Sequence, residues 1–183
     1  VKDEVMPEPD LGAAGRAASR MNNGPAVLFE KINGYNGTVV TNVHGSWANH
    51  ALMMGMEKNT SVKDQFHKLN RRWSKFPVAP KKVAREDAAC KENVVEGDDV
   101  NLFELMPLYR INKQDGGFYI GKASIISGDP EFPDDFGKQN VGTYRLQVKG
   151  KNRIGGQYLA MHDLAVQLNK AERKGENLPI AIT

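Results

Sequence analysis

One stretch of the sequence, residues 137–148, combines a polar turn with an alternating strand. Tyr144 belongs to the apolar face of the predicted strand, and Arg145 stands on the polar face, as a period of two residues requires. Asn140 precedes the strand, where its amide oxygen can reach a cation or a phosphate. Gly142 lets the backbone approach a ligand closely. The stretch therefore predicts a ligand-facing strand, although an edge strand with a solvated arginine explains the same residues.

Other side chains with useful chemistry have simpler explanations. His44 and His50 flank a predicted helix start, but their spacing does not place two metal ligands on one face of a helix. The acidic pair at residues 98–99 is explained by turn formation. Cys90 has no neighbours that would make a reactive thiolate. We therefore expect structural or solvated roles for these side chains.

Capping residues and apolar periodicity predict four helices. They span residues 11–21, 47–56, 62–75 and 164–174, with caps at Asp10, Ser46, Thr60 or Ser61, and Asp163. Pro77 is expected to stop the third helix and Gly175 the fourth, and a charged linker is predicted from Pro80 to Asp87.

The second and third helices each carry apolar residues that we expect to face a core. The candidate core contacts of the second helix are Trp47, Leu52, Met53 and Met56. The third helix has a stripe at steps of three and four residues, formed by Val62, Phe66, Leu69 and Trp73.

Strands are predicted in both halves of the chain. Residues 26–29 form an apolar run that predicts a strand buried on both faces, with residues 38–43 as its hairpin partner. Three further strands are separated by turns rich in Gly and Asp, at residues 118–126, 143–148 and 154–161. We therefore predict an α+β protein, with an N-terminal α/β domain at residues 1–105 and a segment of a β-barrel or sandwich at residues 106–183.

Composition narrows the classes of function. The net charge is +3, from 25 basic and 22 acidic residues with no aromatic-studded basic patch, so a nucleic-acid partner is not expected. No apolar run approaches the roughly 18 residues that span a bilayer, so no membrane partner is expected. The single cysteine favours a reducing, cytoplasmic location. The chain begins without Met and stops in an apolar run, so we expect a truncated fragment or a cleaved product.

Six segments follow one another in the order of a known family, at residues 32–35, 42–50, 116–120, 136–145, 161–163 and 178–183. The fourth segment holds Asn-Val-Gly-Thr-Tyr-Arg at residues 140–145, and the fifth holds Met-His-Asp. Together they resemble the N-terminal portion of the UbiD family of decarboxylases, in the branch of the non-oxidative hydroxyarylic acid decarboxylases. The resemblance implies that residues 106–183 form the first part of a split β-barrel of the flavin-reductase type.

The resemblance also implies a cofactor site. Members of the family use prenylated FMN, whose phosphate is anchored through a divalent cation, usually Mn²⁺, with a monovalent ion such as K⁺ nearby. Asn140 matches the asparagine ligand of that cation, and His162 matches the histidine ligand. Four further residues match positions beside the cofactor, namely Thr143, Tyr144, Arg145 and Met161.

The implied reaction is non-oxidative decarboxylation of a hydroxybenzoic acid of the 4-hydroxybenzoate, vanillate or protocatechuate type, in aromatic catabolism. Arg145 would hold the substrate carboxylate, because a planar guanidinium can make two charge-assisted bonds to it. The glutamates that complete the family's catalytic and metal sites have no match here, so we expect this portion alone to be inactive. The implied partners are a flavin prenyltransferase, a small accessory protein and further copies of the full-length protein.

Two other functions stay open. A non-catalytic module that binds a flavin or a partner protein explains the missing glutamates, because half a site cannot complete a proton transfer. A split barrel of the FMN reductase type would use plain FMN and would oxidise NAD(P)H.

Overall fold

The structure, a computed structural model, describes residues 1–76, residue 78 and residues 81–183. Its helices are α1 Gly12–Ser19, α2 Trp47–Met53, α3 Val62–Trp73, α4 Leu102–Leu105 and α5 Asp163–Lys174. Its strands are β1 Glu4–Val5, β2 Val27–Phe29, β3 Lys31–Ile32, β4 Val39–Thr41, β5 Phe118–Gly128, β6 Gln139–Gly150, β7 Arg153–Gln157 and β8 Ile180–Ile182. The helix stop predicted at Pro77 and the linker start predicted at Pro80 lie outside the described residues.

The described chain has a mixed helix-and-sheet fold that divides into two compact units. The first contains Val1–Asp99 with Ile111–Lys113, and the second contains Val100–Arg110 with Gln114–Thr183. Among the described residues, no helix combines the length and the apolar character needed to cross a bilayer.

The first unit holds two small sheets. β1 pairs with β3 in parallel, and β2 pairs with β4 in the antiparallel direction, which confirms the predicted pairing of residues 26–29 with residues 38–43. Burial of β2 on both faces is wrong, because Leu28 is exposed while its neighbour Phe29 is buried. A two-stranded ribbon has one face on the core and one face open, so the alternate residues of β2 differ in burial.

Two of the predicted helix caps are confirmed in the first unit. The hydroxyls of Ser46 and Ser61 each accept a backbone N–H from the first turn of α2 and α3. Asp10 is not a cap of this kind. Its carboxylate accepts the backbone N–H of Met6 over 2.8 Å, and α1 begins without a side-chain cap.

The predicted burial of the α2 and α3 apolar residues is wrong except at Met56, which is half-buried and follows α2. Phe66 is 59% exposed and Trp73 is 70% exposed. The other exposed members are Trp47, Leu52, Met53, Val62 and Leu69. The side chain that α3 does bury is Gln65, whose Nε2 donates to the carbonyls of Trp47 and Thr60, each over 3.0 Å. Periodicity marks an apolar face, but it does not supply another element to cover that face.

The second unit is built on an antiparallel sheet of four strands in the order β7-β6-β5-β8, half of a barrel, with α5 on one face. Its buried cluster contains Ala123, Ile125, Tyr144, Leu146 and Leu164. The predicted alternation in β6 is confirmed, since the even-numbered residues 144, 146 and 148 are buried. β6 begins at Gln139, earlier than predicted, so Asn140 lies within the strand and not in a turn before it.

The strand predicted at residues 154–161 is shorter in the structure, because β7 ends at Gln157. A loop follows β7 and leads into α5. His162 occupies the N-cap position of α5, and no side chain caps the helix, so the prediction of Asp163 as the cap is wrong. Gly175 ends the helix as predicted, with a positive φ of 70° that suits a residue without a side chain. The loop and helix thereby place His162 at the edge of the buried cluster.

Candidate functional site

The tyrosine of β6 lies at the centre of the candidate site. Its hydroxyl accepts the amide Nδ2–H of Asn140 over 3.4 Å, and its ring centroid is 5.8 Å from the imidazole of His162. The same ring packs edge-on against Tyr158 at 6.2 Å. Tyr144 therefore bridges the two predicted metal ligands, and the structure brings all three residues into one cluster.

A glycine makes room for that tyrosine. A Cβ atom at Gly142 would lie 2.5 Å from the ring of Tyr144, which is far inside van der Waals contact. The ring thus extends back along its own strand over Gly142 and reaches the asparagine at the previous position on that face. The sequence suggested that a ligand would approach the backbone at Gly142, but in the structure the ring of Tyr144 takes that position.

Asn140 is half-buried, and one polar atom of its side chain, Oδ1, makes no hydrogen bond within the described chain. Its Nδ2 is engaged by Tyr144. A carboxamide oxygen is a good ligand for a hard cation such as Mg²⁺ or Mn²⁺. Asn140 therefore fits the cation site that the family resemblance implies.

His162 can ligate a metal through Nε2 only after its proton moves to Nδ1. Its Nδ1 accepts the backbone N–H of Leu159 over 3.2 Å, so the proton of the neutral imidazole sits on Nε2. A histidine that ligates through Nε2 must carry its proton on Nδ1, where it usually donates to a protein acceptor. Metal binding at Nε2 thus requires the Leu159 bond to break.

A polar cavity of about 230 Å³ adjoins Asn140. It is lined by Asp129, Gly137, Lys138, Gln139, Asn140, Asp163, Val166 and Gln167. His162 does not line it, although the next residue of the chain does. The cavity lies at the start of α5, where backbone N–H groups and a carboxylate stand close to the asparagine, and its volume suits a few waters or a hydrated ion.

An ion-pair cluster closes one side of this region. Lys170 Nζ lies 2.7 Å from the carboxylate of Asp129 and 2.8 Å from that of Glu131. The hydrogen bond from Lys170 and the backbone N–H of Glu131 hold the pKa of Asp129 below its ordinary value. The same carboxylates, Asp129 first, raise the pKa of Lys170. The pair fixes the middle of α5 to the loop that follows β5.

Sequence reasoning missed two buried polar residues, Gln167 and Ser127. Both are almost fully inaccessible, and the serine hydroxyl donates to Gln167 Oε1 over 2.6 Å. Gln167 stands three residues after Leu164 and directly before Leu168, so it lies beside apolar residues of its own helix. A polar residue on an otherwise apolar helix face was the available signal, because such a residue needs a partner inside.

The remaining predicted site residues lie elsewhere in the unit. Thr143 and Arg145 are on the opposite face of β6 from Asn140 and are exposed. Arg145 lines a shallow cavity of about 300 Å³ together with Lys149. Met161 is 81% exposed in the loop before α5. The structure therefore does not bring these side chains to the cluster around Tyr144.

The described residues contain no group of three or more His, Cys, Asp or Glu side chains that would hold a metal by themselves. In the first unit, the rings of His44 and His50 lie 5.6 Å apart, edge to face. Cys90 is exposed and carries a free thiol. A cation at Asn140 and His162 would accordingly need other ligands, such as cofactor oxygens or waters.

Two family models match the chain. One describes the 3-octaprenyl-4-hydroxybenzoate carboxy-lyase N-terminal domain and matches residues 1–69. The other describes the 3-octaprenyl-4-hydroxybenzoate carboxy-lyase Rift-related domain, carries the name UbiD, and matches residues 81–183. The second match alone covers more than half of the sequence.

Curated relatives are phenolic acid decarboxylases. The one from Sedimentibacter hydroxybenzoicus is 68% identical over 184 residues, and the one from Bacillus subtilis is 52% identical over 184 residues. Both alignments cover 100% of this chain and 38% of the relative. The chain thus spans well under half the length of the curated relatives that it matches.

Solved structures agree with these matches. Vanillic acid decarboxylase of Sedimentibacter hydroxybenzoicus (ShVdcCD) in closed form superposes with a TM-score of 0.92 at 68% identity, over 100% of this chain and 38% of that one. Another structure of that enzyme contains a truncated second component, ShVdcD. The UbiD-class enzyme HmfF from Pelotomaculum thermopropionicum, in complex with prFMN, superposes with a TM-score of 0.79 at 32% identity, over 100% of this chain and 39% of that one.

Proposed function

The chain belongs to the UbiD family of carboxy-lyases, and from that premise we propose that the full-length protein decarboxylates a hydroxybenzoic acid without net oxidation, using prenylated FMN. The observation that carries the proposal is the cluster of Asn140, Tyr144 and His162, which joins the two family-matched ligand positions through one tyrosine ring. The names of the relatives support a phenolic acid such as vanillate, and we propose a substrate of the 4-hydroxybenzoate, vanillate or protocatechuate type.

We propose that Asn140 and His162 hold a divalent cation, Mn²⁺ by preference, that anchors the cofactor phosphate, with K⁺ as a second ion nearby. The open Oδ1 of Asn140 supports this assignment, and the imidazole joins once its proton has moved to Nδ1. When bound, prenylated FMN would supply the electron sink for loss of CO₂. The protein residues hold and orient the phosphate end, and Tyr144 fixes the asparagine amide.

Arg145 is proposed to bind the substrate carboxylate. Its guanidinium is exposed on the polar face of β6, and among the described residues no acidic side chain lines the cavity that it shares with Lys149. A guanidinium in such a positively charged cavity can bind a carboxylate by donating two parallel hydrogen bonds to it. Thr143 and Met161 are proposed to line the cofactor from exposed positions.

The rest of the proposal concerns the complete protein. Residues 106–183 would form the first part of a split barrel, since β8 and β7 present the two edges of the sheet. The missing acid and base groups would come from other parts of the full-length chain, so the described portion alone would not turn over. A flavin prenyltransferase would supply the cofactor, and an accessory protein and further copies would complete the assembly.

The test is decarboxylation by the full-length protein produced together with a flavin prenyltransferase. We expect loss of 4-hydroxybenzoate or vanillate, followed by chromatography, to depend on co-production of the prenyltransferase and to drop at least about tenfold in Asn140→Ala and His162→Ala. Asn169→Ala, on the exposed side of α5, is the control. Full activity in Asn140→Ala would refute the site assignment.

The two alternatives predict other results in the same samples. A non-catalytic module would retain flavin but release no CO₂ from any of the hydroxybenzoates. A reductase of the FMN type would oxidise NAD(P)H, which absorbance at the nicotinamide band would show.

A further inference from the structure

A buried glutamine joins the start of α5 to the strand that carries Asn140. Gln167 is 6% exposed, and both polar atoms of its amide are engaged. Its Oε1 accepts the hydroxyl of Ser127 over 2.6 Å, and its Nε2 donates to the backbone carbonyl of Lys138 over 3.1 Å. One helix side chain thus contacts β5 and the segment that enters β6.

Both contacts lie next to the asparagine. Ser127 is the direct cross-strand partner of Asn140 in the β5–β6 pairing, and Lys138 precedes Asn140 by two residues. On the helix, Gln167 lies little more than one turn after His162, the N-cap residue. The amide of Gln167 therefore connects the backbone around one predicted ligand to the helix that begins at the other.

We propose that Gln167 is a positioning residue that sets the separation of Asn140 from His162 for a shared divalent cation, an inference that rests on the metal site of the proposed function. Its chemistry is specific. Ser127 offers a donor and Lys138 offers an acceptor, so the linking side chain must accept at one atom and donate at the other. A carboxamide does both, whereas a carboxylate only accepts and a thioether hardly does either.

A second anchor on the same helix separates positioning from simple stability. Lys170, one turn further along, holds α5 through Asp129 and Glu131 and makes no hydrogen bond to the described strand residues beside Asn140. Loss of the Lys170 anchor should loosen α5 without moving the two ligands relative to each other. Loss of the Gln167 anchor should loosen α5 and also change the separation of the two ligands.

The experiment is a Mn²⁺ titration of the full-length protein, followed by the electron paramagnetic resonance signal of free Mn²⁺, with thermal unfolding measured in parallel. We expect Gln167→Met to weaken Mn²⁺ binding by about tenfold, the scale of effect known for residues that orient metal ligands. Ser127→Ala removes one of the two hydrogen bonds and should give a smaller loss in the same direction. Lys170→Met should lower the thermal midpoint without weakening Mn²⁺ binding.

The outcomes are distinct. Weakened binding in Gln167→Met and Ser127→Ala, with no loss of affinity in Lys170→Met, supports the proposal. If Gln167→Met does not fold, Ser127→Ala decides alone. Parent-like affinity in these two variants, while Asn140→Ala loses Mn²⁺, would overturn the positioning role and leave the metal site standing. Parent-like affinity in Asn140→Ala would overturn the metal site and the positioning role together.

Discussion

The backbone N–H of Leu159 donates to Nδ1 of His162 over 3.2 Å, and this single bond decides which nitrogen of the imidazole carries the proton. The proton of the neutral imidazole therefore lies on Nε2. In this arrangement the imidazole cannot ligate a cation through Nε2. A cation bound at Nε2 would require the proton on Nδ1 and the loss of the hydrogen bond from Leu159.

This relationship predicts a tautomer change on metal binding. In full-length protein with ¹⁵N-labelled histidine, we expect the spectrum without added metal to show His162 protonated at Nε2, and addition of diamagnetic Zn²⁺, which binds imidazole, to shift the proton to Nδ1. Leu159→Pro removes the donor and should raise the Nδ1-protonated fraction without metal, whereas Leu159→Ala keeps the N–H and should match the parent. An Nδ1 proton in the metal-free parent would contradict the prediction.

The close approach of Gly142 to Tyr144 predicts a specific sensitivity. Gly142→Ala places a Cβ atom 2.5 Å from the tyrosine ring, so the ring must move and its bond to Asn140 must break. Overpacking of this kind costs about 1–3 kcal/mol of unfolding free energy, measurable as a lower urea midpoint. Gly128→Ala in β5 is the control, because a Cβ there meets no atom within 4 Å. Equal midpoints for the two variants would show that the ring relocates freely.

The Lys170 cluster predicts how stability depends on pH. Since the pKa of Asp129 is lowered from 3.8, its contribution is complete above that value and is lost as the pH falls through the lowered pKa. Since the pKa of Lys170 is raised from 10.5, its contribution is complete below that value and is lost as the pH rises through the raised pKa.

The difference in thermal midpoint between the parent and Lys170→Met should therefore be constant across neutral pH and shrink only in strong acid and strong base. Midpoints taken at intervals from about pH 2 to about pH 11 would check this. A difference that changed between about pH 5 and about pH 9 would point to another titrating group.

Local chemistry makes part of this fold predictable. The alternation of β6, the serine caps and the left-handed Gly175 each depend on a few adjacent residues, and the structure confirms each of them. The exposure of Trp73 could not be predicted, because burial of a stripe depends on what the rest of the chain places over it. In the same way, the partners of Gln167 are 29 and 40 residues away, beyond any local pattern.

The candidate site was likewise predictable only in part. The order of family-like segments predicts that Asn140 and His162 belong together, and the structure places both against Tyr144. The bridging role of the tyrosine and the need for Gly142 follow from the direction in which the ring leans. That direction depends on tertiary packing, so residue types and spacing alone do not contain it.

The last prediction concerns Gln65, which takes the place of a buried apolar residue between α2 and α3. It is 2% exposed, its Nε2 donates to two carbonyls, and its Oε1 lacks a hydrogen-bond partner in the described chain. Gln65→Met removes both bonds but also removes the unpaired oxygen, so we expect a net loss of about 1–2 kcal/mol in unfolding free energy. His67→Met, exposed on the same helix, should change it by less than about 0.5 kcal/mol. Urea unfolding of the full-length variants measures both, and a Gln65→Met protein as stable as the parent would mean that these bonds contribute nothing to the association of α2 with α3.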